Sequence, residues 1–364
     1  MKATQQLHDA GQSIWIDNIT RGMLTSGTLA EYIKNFSVTG LTSNPTIFEK
    51  AIGDSDFYDA AIREKSAAGL HDEELFYELA LEDLTKAADL FRGIHDQTKS
   101  VDGWVSLEVS PLLADDTAGT IAAAKQLHAR AQRPNVFIKI PGTTAGIQAI
   151  EESIFAGIPI NVTMLFSREQ YLAAAEAWTR GVERRIAAGL DPKVASVASL
   201  FVSRWDVAVK DKVSAPLRNR LGIAMGRRVY KSYCDLLAST RWKRLLDAGV
   251  PLQRLLWAST GTKDPAAPAS LYVDALAAPF TINTMPEKTL QAFAEHGELN
   301  GVMPPDGGDA EQVLAAFAAE GVNDAALAAQ LQVEGTQAFA KSWQDLLQVL
   351  AAKGTAQKRA GAAR

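Results

Sequence analysis

Short apolar runs alternate with longer stretches of helical periodicity along most of the chain. Eight runs read as strands: Ser13–Asp17, Val38–Asn44, Gly103–Val109, Val136–Ile140, Ile158–Thr163, Val194–Val202, Arg254–Ser259 and Phe280–Thr284. Amphipathic stretches lie between them, including His71 to about Phe91, Asp116–Ala131, Thr143–Phe155 and Ser167–Ala188, the last opening on Ser167 as an N-cap. Strands that alternate with helices predict right-handed βαβ units and a parallel sheet. Eight such units predict the α/β class and closure into one (β/α)8 TIM-type barrel. The competing reading is an open doubly wound sheet, but no Gly-x-Gly-x-x-Gly turn follows any of the strands. The span from about Pro286 to Lys353 reads as extra C-terminal helices interrupted by Pro304-Pro-Asp-Gly-Gly308 and packed on the barrel. Residues 1–353 are therefore expected to form one domain, and the Ala/Gly/Lys/Arg-rich residues 354–364 a flexible tail.

Barrel active sites sit at the carboxyl ends of the strands, and polar residues fall there in this chain. Asp17 ends the first predicted strand and Asn44 the second. Glu108 lies in the third, Lys139 in the fourth, and Asn161 and Thr163 in the fifth. Ser199 and Arg204 belong to the end of the sixth, and Ser259 to the seventh. A charge inside a barrel strand is costly unless paired or employed. One such charge reads as a structural ion pair; four ionisable groups on four strands at one mouth ask for a functional reason.

Lys139 is the centre of the set. Period-2 alternation points it to the same face as Phe137, with Ile138 and Ile140 on the other. Burial disfavours the charged form of an amine, and a neutral amine can attack a carbonyl to form an imine. A protonated imine is an electron sink for making or breaking the adjacent C–C bond. The alternative is a buried structural bridge from Lys139 to Glu108 or Asp17. Imine chemistry also needs a proton acceptor, for which Asp17 and Glu108 are candidates. Asn44, Asn161 and Ser199 suit the hydroxyl groups of a ketose, and Arg204 and Lys263 a phosphate.

Composition narrows the chemistry. The 364 residues are 47% apolar with a formal net charge of −5, a globular composition with no bulk electrostatic reason to bind nucleic acid or an anionic membrane. No stretch of about 20 residues is apolar enough to span a bilayer and no secretory signal opens the chain, so the expected location is the cytoplasm. The lone Cys234 reads as a packing residue. None of His8, His71, His95, His128 and His296 has metal-ligand spacing to another, so surface or helix-terminal places and no metal or cofactor are expected. Arg218, Arg220, Arg227 and Arg228 read as surface or packing charges on a long helix.

Four stretches resemble transaldolases: Thr42-Ser-Asn-Pro-Thr-Ile-Phe48, Val136-Phe-Ile-Lys-Ile-Pro-Gly-Thr143, Asn161-Val-Thr-Met-Leu-Phe-Ser167 and Ser199-Leu-Phe-Val-Ser-Arg-Trp-Asp206. The resemblance runs in order from Asp17 to about Met285 and suggests the longer bacterial branch of that family. It implies a (β/α)8 barrel that moves a dihydroxyacetone unit from sedoheptulose 7-phosphate to glyceraldehyde 3-phosphate in the non-oxidative pentose phosphate pathway. The products would be erythrose 4-phosphate and fructose 6-phosphate. It implies a Schiff base on Lys139, acid/base work by Asp17, and a catalytic water handled by Glu108 and Thr163. Asn44 and Asn161 would hold the three-carbon unit, with Ser199 in the same pocket, and Arg204 and Ser259 would contact phosphate. Many transaldolases carry an arginine two residues after the strand-7 serine; here that position is Gly261, and Lys263 is expected to supply the charge. Two other readings stay open: a fructose-6-phosphate aldolase-type lyase using the same imine, and a sugar-phosphate-binding barrel without catalysis. The expected partners are small sugar phosphates; the pattern does not reveal the oligomeric state.

Overall fold

A computed structural model describes residues 2–362. Eight parallel strands close into a barrel in sequence order: β1 (Gln12–Asp17), β2 (Val38–Thr42), β3 (Val105–Glu108), β4 (Val136–Pro141), β5 (Ile160–Leu165), β6 (Ser196–Phe201), β7 (Gln253–Ala258) and β8 (Thr281–Met285). The barrel expectation therefore stands, and the open sheet does not. The strands are buried along their whole length except at Asp17, where β1 reaches the mouth.

Local chemistry sets the element ends. β2 stops at Thr42 rather than at the expected Asn44, because Asn44 accepts the Ile47 N–H at 3.0 Å and caps the helix Pro45–Gly53, with Pro45 at its first position. Asp116, Thr143 and Ser167 likewise cap the helices Thr117–Ala131, Thr144–Phe155 and Arg168–Ala187, and Ser167 forms a capping box with Gln170. β5 starts at Ile160, after Pro159, and continues past Thr163 to Leu165 through a shift of register against β6. Arg204, expected at the end of strand 6, lies in the next helix, Ser203–Val209. Ser259 lies just past β7 in a left-handed conformation, φ 56°.

The lower barrel is filled by aromatic rings. Phe137 stacks on Trp104 with centroids 4.1 Å apart and lies 6.2 Å from Trp15. Gly40 makes room for this layer: a β-carbon there would stand 2.6 Å from the Trp15 indole. Below, Asp102 accepts from the Trp15 indole N–H at 2.8 Å and the Thr39 hydroxyl at 2.8 Å, and Arg254 donates to Ser13 at 2.6 Å. Lys139 thus stands on a closed floor.

Three C-terminal helices follow, Glu287–His296, Ala310–Ala319 and Asp324–Ala362. The last runs back across the barrel, packing on Pro45–Gly53 and against β5. Its backbone stays helical to Ala362, where a tail from 354 was expected; Ala363 and Arg364 lie outside the described residues. Of the four arginines expected on one helix, Arg218 and Arg220 precede Leu221–Ala238, while Arg227 and Arg228 lie on it and pack these helices down: Arg227 pairs with Asp309, and Arg228 with Glu311 at 2.6 Å and with Asp324. Arg220 reaches Asp309 at 3.5 Å. Among the described residues no helix is long and apolar enough to cross a membrane.

Candidate active site

At the carboxyl mouth of the barrel lies a cavity of about 330 Å³. Its wall includes Asp17, Asn44, Lys139, Thr163, Ser199, Arg204, Ser259 and Lys263. Eight of the ten residues singled out from sequence therefore meet in one space. The other two stand directly behind it. Glu108 is buried and accepts from Lys139 Nζ, and Asn161 is buried beneath Ser199.

Strand register assembles the centre. Glu108 of β3, Lys139 of β4 and Asn161 of β5 are successive Cα partners, so the three side chains share one layer above the aromatic floor. Lys139 Nζ donates to Glu108 Oε2 at 3.1 Å and to the Ser43 carbonyl at 3.0 Å. The lysine is only 5% exposed, yet it lines the cavity, so its amine is buried and still within reach of a molecule bound there. Asn161 Nδ2 donates to Ser106 Oγ at 3.1 Å, and its Oδ1 accepts from Ser199 Oγ at 2.7 Å. That pair of bonds fixes the amide orientation and leaves Ser199 aimed by Asn161. Thr163, two register pairs further up, has a buried hydroxyl with no hydrogen-bond partner among the described residues.

Asp17 faces this layer from β1. Its Oδ1 accepts from Thr42 Oγ1 at 2.7 Å, on its register partner in β2. Burial pushes its carboxyl above the usual range, against the pull of Lys139, the Thr42 hydrogen bond and Lys263. Burial also raises the Glu108 carboxyl, opposed chiefly by Lys139. The two carboxyls are held differently: Glu108 is bonded to the lysine, whereas Asp17 is bonded to a hydroxyl and open to the cavity. This allows one to accompany the amine and the other to exchange a proton with a bound molecule. Asn44 uses its carbonyl as a helix cap, which leaves its amide N–H groups for the cavity.

The outer mouth is cationic. Arg204 stands against the rings of Phe201 and Phe339, its Cζ 5.2 and 5.8 Å from their centroids, and forms no salt bridge among the described residues. Burial lowers its pKa, with the more distant Glu334 and Glu108 pulling the other way; this is the penalty of holding a guanidinium there without a bonded carboxylate. Lys263 lines the same wall. Gly261, at the position of the expected arginine, lines it too, and a β-carbon there would stand 3.1 Å from the Pro286 ring.

Sequence reasoning missed several members of the wall. Lys50, Ile47 and Thr46 come from the helix after β2, Thr284 from β8, and Phe339 from the last helix. Ser106 and Thr42 are the hidden partners of Asn161 and Asp17. Inward alternation along β2 and β3 pointed to the last two; Lys50 and Phe339 had no signal beyond their place on helices.

The cysteine and the histidines do not line this cavity. Cys234 is half-buried against the core, and burial raises its thiol pKa. His8, His95, His128 and His296 lie in the last turns of their helices, and His71 is the residue before one. Among the described residues no cluster of three or more His, Cys, Asp or Glu has the arrangement of a metal site.

A closed parallel barrel with a buried lysine–carboxylate pair and a second carboxylate at its carboxyl mouth has the layout of an aldol enzyme of the Schiff-base class. Comparison with known proteins makes the class specific. The family model described as Transaldolase/Fructose-6-phosphate aldolase matches residues 14–350, and the chain belongs to that family. It is 45% identical over 355 residues to a protein of Frankia alni named Transaldolase, covering 95% of this chain and 96% of that one. It is 44% identical over 352 residues to the Transaldolase of Thermobifida fusca, with 94% and 96% covered. Against Transaldolase 1 of Streptomyces avermitilis the identity is 43% over 356 residues, with 95% and 94% covered.

Proposed function

We propose that this chain is a transaldolase that carries a dihydroxyacetone unit from sedoheptulose 7-phosphate to glyceraldehyde 3-phosphate through a Schiff base on Lys139. The observation that carries this reading is the Lys139 amine itself: buried, bonded to Glu108, and presented to a cavity shared with Asp17. The amine adds to the ketose carbonyl at C2, and the carbinolamine loses water to give the protonated imine. Glu108 and Thr163 handle that water, the first at the amine and the second through its unpartnered hydroxyl.

Asp17 then takes the proton of the C4 hydroxyl. The C3–C4 bond breaks, its electron pair moves into the imine, and erythrose 4-phosphate leaves. The enamine left on Lys139 attacks the aldehyde carbon of glyceraldehyde 3-phosphate, and Asp17 returns the proton to the new hydroxyl. Hydrolysis releases fructose 6-phosphate and restores the amine. Asn44, Asn161 and Ser199 hold the hydroxyls of the three-carbon unit, while Arg204, Ser259 and Lys263 take the phosphate. The barrel and its C-terminal helices act as one domain, residues 1–353. We place the reaction in the cytoplasm, within the non-oxidative pentose phosphate pathway; the single cysteine, Cys234, is a free thiol, which fits a reducing compartment.

Product analysis after mixing both substrates tests the reading. Erythrose 4-phosphate and fructose 6-phosphate in equal amounts are expected. Free dihydroxyacetone as the main product would instead make the chain a lyase, and stoichiometric binding without turnover would make it a non-catalytic barrel.

A further inference from the structure

The last helix is more than a cover. Four of its residues, spaced to share one face, meet the barrel mouth or the helices beside it: Gln332, Gly335, Phe339 and Trp343. Gln332 donates to the carbonyls of Gly142 and Met164, both at 3.0 Å, and so ties the helix to the ends of β4 and β5. Met164 is itself held in a left-handed conformation, φ 60°, one residue past Thr163. Trp343 packs edge-on against Phe76, and Ser342 bonds Thr46 at 2.8 Å. The helix is thus anchored on both sides of Gly335.

Glycine is a poor choice in the interior of a 39-residue helix unless something approaches it closely. Here something does. A β-carbon on Gly335 would stand 3.0 Å from Arg204 Nη1 and 2.9 Å from Met164 Sδ. Arg204 Nη1 ends a flexible side chain and Met164 Sδ lies one atom from the end of another, so the backbone could stay in place while the guanidinium and the thioether moved. Arg204 has no salt bridge among the described residues to resist that movement; Phe201, Phe339 and the Gly335 notch define where it stands. Gly93 is the contrast, an interior helix glycine with nothing within 4 Å.

We propose that Gly335, with Phe339, is a positioning residue for the phosphate end of the site, setting the place of the Arg204 guanidinium from the C-terminal helix. This rests on the reading of Arg204 as a phosphate contact. Steady-state kinetics of Gly335→Ala test it. KM for glyceraldehyde 3-phosphate should rise about tenfold, the loss of roughly one charge-assisted hydrogen bond, with kcat within about twofold and a melting temperature no lower than the parent's. Borohydride trapping of dihydroxyacetone, which has no phosphate, should label Lys139 to the parent extent. Phe339→Leu should raise the same KM, and Gly93→Ala should leave it alone. An unchanged KM in both Gly335→Ala and Phe339→Leu overturns the proposal, as does an equal loss of dihydroxyacetone trapping, which would mean general damage to the site. Failure to trap Lys139 in the parent protein would sink the underlying functional reading instead.

Discussion

Replacing Asp17 by asparagine separates the two halves of the chemistry. The amide is isosteric with the carboxylate, so its oxygen can still accept from Thr42 Oγ1, 2.7 Å away in the parent. Lys139 keeps both of its bonds, to Glu108 and to the Ser43 carbonyl. Imine formation should therefore survive. What disappears is the only carboxylate on the cavity wall among the described residues, and a lost general base is worth about 10²–10⁴ in rate. That corresponds to roughly 3–5 kcal/mol on the barrier to C–C cleavage. Stability should move the other way. Burial holds the Asp17 carboxyl above its usual range, so only between the unfolded and the folded pKa does the folded protein retain a proton that the unfolded chain has released. The stability linked to this group is full below the unfolded pKa of about 3.9 and is lost as pH rises through the folded value. The Asp17→Asn variant would carry no such loss, and its gain in melting temperature over the parent should widen from pH 4 to pH 8. Single-turnover mixing with fructose 6-phosphate, quenched with borohydride or assayed for released glyceraldehyde 3-phosphate, reads both steps. An unchanged cleavage rate would remove Asp17 from its role, and loss of the trapped adduct would show that the substitution disturbed the amine.

Three other outcomes follow from the same geometry. Lys139→Ala should abolish turnover with the circular dichroism spectrum intact, the Glu108 carboxyl taking up a proton once its ammonium partner is gone; near-normal rates would contradict the mechanism. Lys50→Ala and Lys263→Ala should each raise KM for phosphorylated substrates by about three- to tenfold, less at high salt, since both cations are exposed; a silent Lys263→Ala beside an active Lys50→Ala would move the phosphate charge to the helix after β2. Asp206 accepts from the N–H groups of Leu221 and Gly222 and the Tyr272 hydroxyl, and burial pushes it up to about 6. Its contribution to stability is full below about pH 4 and falls by about 3 kcal/mol as pH rises past 6. Urea unfolding of Asp206→Asn should show that slope flattened; the same slope in both proteins would place its origin elsewhere.

Much of this site was legible because charge inside a barrel strand is rare. Lys139 and Glu108 interrupt apolar runs, and period-2 alternation alone puts them inward in one layer. Asn161 and Ser199 stood out the same way, although their mutual bond depends on the register of β5 and β6, which a single strand does not encode. The strand ends were less readable. Asn44 looked like the close of a strand, but a residue before proline with a short polar side chain serves equally well as a helix cap, and that role won. Phe339 and Gly335 could not be assigned to the site from sequence. On a helix of ordinary amphipathic pattern a phenylalanine reads as core, and only the path of that helix over the mouth brings both residues to Arg204. The missing strand-7 arginine was visible as Gly261, while the approach of Pro286 to that position is purely tertiary.

The central claim is that Lys139 forms a covalent imine with the substrate ketose. Borohydride reduction in the presence of fructose 6-phosphate, followed by peptide mapping by mass spectrometry, addresses it directly. The account predicts a reduced three-carbon adduct on the peptide containing Val136-Phe-Ile-Lys-Ile140, confined to Lys139. An unmodified peptide under conditions where the substrate is shown to be bound would contradict it.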